Sequence, residues 1–111
     1  MSADKQNPTQ KPAMYRKIRE SYPAIIDHLE ALGQSLAEAG PVPRKEGHLI
    51  QLAAAAAMQS EGSVHSHARR ALAAGATIQE IEHSLLLLIS VIGFPRVAAA
   101  LSWISDDSVR P

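Results

Sequence analysis

The run Ser60-Glu61-Gly62-Ser63-Val64-His65-Ser66-His67 through Ile81-Glu82 constrains the chain more than any other. Thr77-Ile78-Gln79-Glu80 is a capping box: the threonine oxygen and the glutamate side chain satisfy two orphan amides reciprocally, so a helix begins at Ile78. Gly75, two residues earlier, ends a preceding helix that starts near Ser60 or Glu61 and runs to Ala73 or Ala74.

The same grammar recurs on either side. Met14 and Ile18 share a face of a short helix from Ala13 to Glu20. Ser21 is an N-cap candidate with Pro23 in the first turn, opening a helix to about Ala39. Its residues Ile25, Ile26, Leu29, Leu32 and Leu36 form one stripe expected to face inward, and Gly40 is expected to stop it in a left-handed conformation. Gly40-Pro41-Val42-Pro43 cannot be helical, so a third helix starts near Pro43 or Arg44. Its run Leu49 to Met58 is apolar almost all round and predicts a central helix or one shared with another subunit, with Glu46 and His48 at its entry, where they can edge a pocket. A fifth helix from Ile78 carries Ile81, Leu85, Leu88 and Ile92, while Leu86, Leu87 and Ile89 widen the stripe toward a subunit interface. Gly93-Phe94-Pro95 breaks the chain before a sixth helix from about Arg96 to Ile104. No strand pattern survives, so the fold class is all-α, with about six short helices and short connections. Residues 1–12 are polar and read as a disordered arm, 13–105 as one helical domain, and 106–111 as a frayed tail.

Composition excludes several functions. Lysine plus arginine and aspartate plus glutamate number 11 each, which leaves no basic field for nucleic acid. No stretch approaches the apolar length of a membrane span and the first residues lack an apolar core, so the expectation is a cytoplasmic protein. There is no cysteine, which removes disulfides, thiolate metal sites and thiol redox chemistry together.

On the helix from Ser60, Ser63 and His67 follow Ser60 within an arc of ~60° at ~100° per residue. All three therefore can line one wall. His65 lies ~200° round from His67, pairing instead with Glu61 at i, i+4. The two histidines cannot serve one small site, and a metal would need His67 plus His48 from the third helix.

Here the sequence resembles the carboxymuconolactone decarboxylase and alkyl hydroperoxidase D-like superfamily. The resemblance rests on His67-Ala68-Arg69-Arg70-Ala71-Leu72, Ala74-Gly75-Ala76-Thr77, Glu80-Ile81 and Gly93-Phe94-Pro95, with Tyr22-Pro23 and Arg44 to Ile50 upstream, and covers roughly Tyr15 to Trp103. It implies an alkyl hydroperoxidase D-like helical fold, a homotrimer or a hexamer of trimers, and sites near subunit boundaries. In the peroxidase branch the landmark histidine follows a C-x-x-C pair, and a glutamate on the preceding helix completes a proton relay. Counting back from His67, those positions are Ser60, Ser63 and His48. A serine hydroxyl forms no disulfide, so peroxide reduction by that mechanism is excluded. The decarboxylase branch keeps the histidine without the thiols. The implied function is a non-thiol lyase-type enzyme acting on a small organic acid or lactone. His67 would be the acid/base, His48 its partner, and Ser60 and Ser63 substrate contacts. The competing reading is a non-catalytic oligomeric binding protein for a small molecule or metal ion on the same scaffold. No cofactor is called for, and a metal held by His48 and His67 stays open.

Overall fold

The computed structural model describes residues 13–105; the expected N-terminal arm and C-terminal tail lie outside the described residues. These residues form helices and turns without a strand. The elements are α1 (Ala13–Ser21), α2 (Pro23–Glu38), α3 (Arg44–Ala57), α4 (Glu61–Ala73), α5 (Ile78–Leu86), α6 (Ile89–Ile92) and α7 (Phe94–Ile104). The all-α expectation holds, and the expected fifth helix is divided between α5 and α6. Leu88 donates its amide to Leu85, three residues back, and Ile92 then bonds to Leu88, so the chain tightens for one turn and re-enters a helix.

The core is built on α3 and α4. Leu52, Ala55 and Ala56 of α3 meet Val64, Ala68 and Ala71 of α4, all buried, and the small side chains let the two backbones approach closely. Ile81 and Leu85 of α5 and Ala100 and Ile104 of α7 complete that core. Leu52, Ala55 and Ala56 put one face of α3 at the centre of this core, while Ile50 and Met58 on the rest of its apolar circumference are exposed in the single chain.

The boundaries around α4 follow the sequence closely. Gly75 has φ +102°, and Ala76 donates back to the Ala71 carbonyl, closing the helix end. Thr77 Oγ1 accepts from the Glu80 amide at 3.0 Å while Glu80 Oε1 accepts from the Thr77 amide at 2.9 Å. Glu80 Oε2 also takes Lys45 Nζ of α3 at 3.1 Å, so one carboxylate caps α5 and ties it to the start of α3. The Thr77 amide and the Lys45 ammonium hold the Glu80 carboxyl below its ordinary range.

Three local expectations are corrected. Ser21 ends α1 rather than capping α2, whose N-cap is Tyr22 with Pro23 in the first turn. Gly40 is not left-handed: positive-φ glycines among the described residues are Gly75 and Gly93, and α2 ends through Ala39 in the right-handed region. The prolines that follow suffice to stop it. Third, the stripe on α2 does not enter the core. Ile26 is buried, but Ile25, Leu29, Leu32 and Leu36 are each more than half exposed. In this single chain α2 packs mainly on α1 as a hairpin set beside the α3–α4 pair. Arg19 fastens that hairpin, reaching Asp27 at 3.2 Å and Glu30 at 2.7 Å.

Candidate functional site

Between the α1–α2 hairpin and the entry of α3 runs a cleft of about 660 Å³. Two histidines stand on its inner wall. His48 comes from the second turn of α3 and His67 from the middle of α4, and the close alanine-mediated packing of those helices brings their ring centroids to 5.8 Å with planes tilted by 35°. Each ring keeps a buried Nδ1 with no hydrogen-bond partner among the described residues. A buried imidazole nitrogen left unpaired is costly in a purely structural setting, and packing alone gives no account of two such nitrogens side by side.

The electrostatics of the pair are set by burial and by arginine. Desolvation first, then the Arg70 guanidinium, then His48 itself push the His67 pKa down to about 4. His48 is lowered by the same desolvation and by Arg70 and Arg44, with a hydrogen bond to Gln51 acting in the opposite direction. Both imidazoles are therefore neutral at neutral pH, each with a lone pair to offer.

Arg44 and Gln51 flank His48 at i−4 and i+3, and Arg70 follows His67 at i+3, so the regular helix places all of them along the same wall. Arg70 has no carboxylate within ion-pair distance among the described residues. Arg44 reaches Glu38 at 3.9 Å. Across the cleft Tyr15 of α1 donates its hydroxyl to Glu30 of α2, and desolvation first, then that hydrogen bond, raises the phenol pKa. Glu30 is already neutralised by Arg19. Leu29, Leu36 and Val42 supply the apolar part of the lining.

The structure thus brings together two of the four site residues expected from sequence. Ser60 stands at the N-cap of α4 with no side-chain capping bond, and Ser63 is exposed; neither belongs to the lining of this cleft. His65 is on another face of α4, its Nε2 3.5 Å from Glu61, as the helical spacing requires. Among the described residues no group of three or more His, Cys, Asp or Glu side chains is arranged to hold a metal ion, so His48 and His67 gain no third ligand of those types. Sequence reasoning missed Arg70, Arg44 and Gln51 as members of the site, although their three- and four-residue spacing from the histidines carries the signal. Tyr15 and Glu30 had no such local signal, because only the packing of the hairpin brings them to the cleft.

An all-α chain with a histidine from each of two closely packed central helices facing a cleft, followed by a glycine stop and a capping box, defines a helical protein of the decarboxylase and hydroperoxidase type. The chain belongs to the carboxymuconolactone decarboxylase family, whose model matches residues 23–106, and it is a member without cysteine. No curated protein and no solved structure gives a significant match. No helix among the described residues is long and apolar enough to cross a membrane.

Proposed function

We propose that the protein is a thiol-independent, lyase-type enzyme of this family that acts on a small organic acid or lactone in the cleft, with His67 taking a proton from the substrate. The observation that carries this reading is the pair of neutral, mutually close imidazoles, each with a buried nitrogen unpartnered among the described residues, beside an arginine that no carboxylate of those residues neutralises. A histidine with a pKa of about 4 is neutral before substrate arrives and starts as a base rather than an acid. A bound carboxylate would offset the Arg70 charge and displace water, and a proton accepted by His67 would be stabilised by that anion and shared toward His48. Substrate binding then raises the basicity of the group that must act. Arg70 would hold the carboxylate, and His48 would orient or relay.

The exposed apolar side chains of α5 and α6 and of the turn between them, including Leu86, Leu87 and Val91, support self-association as part of this reading, in the homotrimer or hexamer that the family resemblance implies. The test is a screen of small organic acids and lactones followed by product detection, comparing wild type with His67→Ala. The variant should lose turnover while retaining its helical content and assembly state. Full activity in His67→Ala would overturn the proposal.

A further inference from the structure

The cleft is larger than a small acid alone requires, and its two walls differ in kind. At about 660 Å³ it sits within the range of sites that enclose a drug-sized ligand. The inner wall, from α3 and α4, carries Arg44, His48, His67 and Arg70; the facing wall, from α2 and the loop after it, carries Leu29, Leu36 and Val42. Among the described residues the charge on the inner wall is uncompensated at Arg70, whereas Glu30, at the opposite edge, is already engaged by Arg19 and Tyr15. A cleft whose Arg70 meets no carboxylate among the described residues, and whose facing wall is apolar and partly exposed, is complementary to an anion that carries an apolar body.

We propose that the ligand of this cleft is an amphipathic monocarboxylate, its carboxylate held at Arg70 beside the two histidines and its hydrocarbon portion lying along Leu29 and Leu36 of α2. This inference rests on reading the cleft as the place where an organic acid binds, and adds the apolar body that the acid must carry. It accounts for the part of the α2 stripe that faces the cleft: Leu29 and Leu36 stay exposed in the free chain because the body of the ligand covers them. Arg70 supplies a charge-assisted contact of the kind that distinguishes a carboxylate from a neutral amide of the same shape.

Isothermal titration calorimetry of the full chain with butanoate, hexanoate, octanoate and octanamide tests it. A fully buried methylene would raise affinity about fourfold, so on a wall that stays partly open the expected gain is about twofold per methylene. That amounts to on the order of tenfold from butanoate to octanoate. Octanamide should bind about tenfold more weakly than octanoate, and Arg70→Ala should abolish that difference while leaving the chain-length dependence. A second variant guards against loss of fold. A Cβ at Gly33 meets no atom within 4 Å, so Gly33→Leu adds bulk to the apolar wall without a clash at its base. It should weaken octanoate several-fold and leave butanoate unchanged.

Equal affinity across the series would overturn the proposal. So would concentration-dependent self-association that covers α2 and is not relieved by octanoate, since a second copy would then be the occupant. Octanoate binding retained in His67→Ala supports the ligand assignment whether or not that variant still turns over substrate. A chain-length-independent ligand that is nevertheless consumed in a His67-dependent reaction would sink the ligand assignment alone.

Discussion

The low basicity of His67 makes a thermodynamic prediction about folding. Its pKa is about 4 in the folded chain against an ordinary value of 6.5, so between those values the unfolded chain binds more protons than the folded one. Stability contributed by the neutral ring is complete above 6.5 and is lost as pH falls toward 4. At about pH 5, roughly 1.5 of the 2.5 units of separation have been traversed, which at about 1.4 kcal/mol per unit is ~2 kcal/mol. His67 is only partly buried and Arg70 is exposed, so solvent screening reduces the expected loss to about 1 kcal/mol. His67→Gln removes the titrating group while keeping a polar side chain of similar reach. Urea unfolding at fixed protein concentration should show wild type losing about 1 kcal/mol more than the variant between about pH 7.5 and about pH 5. His48, also lowered, contributes in the same direction in both proteins, so the variant and not wild type alone is the reference for His67. Parallel losses in wild type and His67→Gln, within a few tenths of a kcal/mol, would refute the assignment of the perturbed group.

Three further substitutions probe what holds the site in place. Leu85 is fully buried among α3, α4 and α7, and Leu85→Ala should lower stability by about 2–5 kcal/mol in urea unfolding. Thr77→Ala removes the cap of α5 and should lower it by about 1 kcal/mol, with the Lys45–Glu80 contact left in place. At Gly75, where φ is +102° and a Cβ would meet nothing within 4 Å, Gly75→Ala should destabilise by about 1–2 kcal/mol through backbone strain alone, read as a lower thermal midpoint with an unaltered fold.

How much of this was legible in the sequence depended on whether the signal was local. The capping box, the stop at Gly75 and the central position of α3 were readable because each arises from residues within one or two turns of one another. His48 and His67 were paired in the sequence as histidines of two different helices and again by the resemblance, and the structure supplies the reason they meet: Ala55, Ala56, Ala68 and Ala71 bring α3 and α4 together. The division of α5 from α6 was not legible, since no glycine or proline stands at Leu87–Leu88 and the tightened turn is a matter of hydrogen-bond register. The α2 stripe misled for a different reason. Three- and four-residue spacing shows that Ile25, Leu29, Leu32 and Leu36 share a face, but it is silent on what that face meets. In the structure Leu29 and Leu36 line a cleft rather than a core. Tyr15 and Glu30 were out of reach for the same reason, because a cleft edge built by one hairpin leaves no periodic trace.

The most direct test of the central claim, that the His48–His67 cleft is where an organic acid binds and reacts, is imidazole nitrogen NMR of the five histidines during titration with octanoate. The account predicts that His48 and His67 shift together and saturably while His28, His65 and His83 do not, and that the pKa of His67 rises from about 4 as the carboxylate offsets Arg70. A silent His67, or one that titrates at or above 6.5 in the free protein, would contradict it.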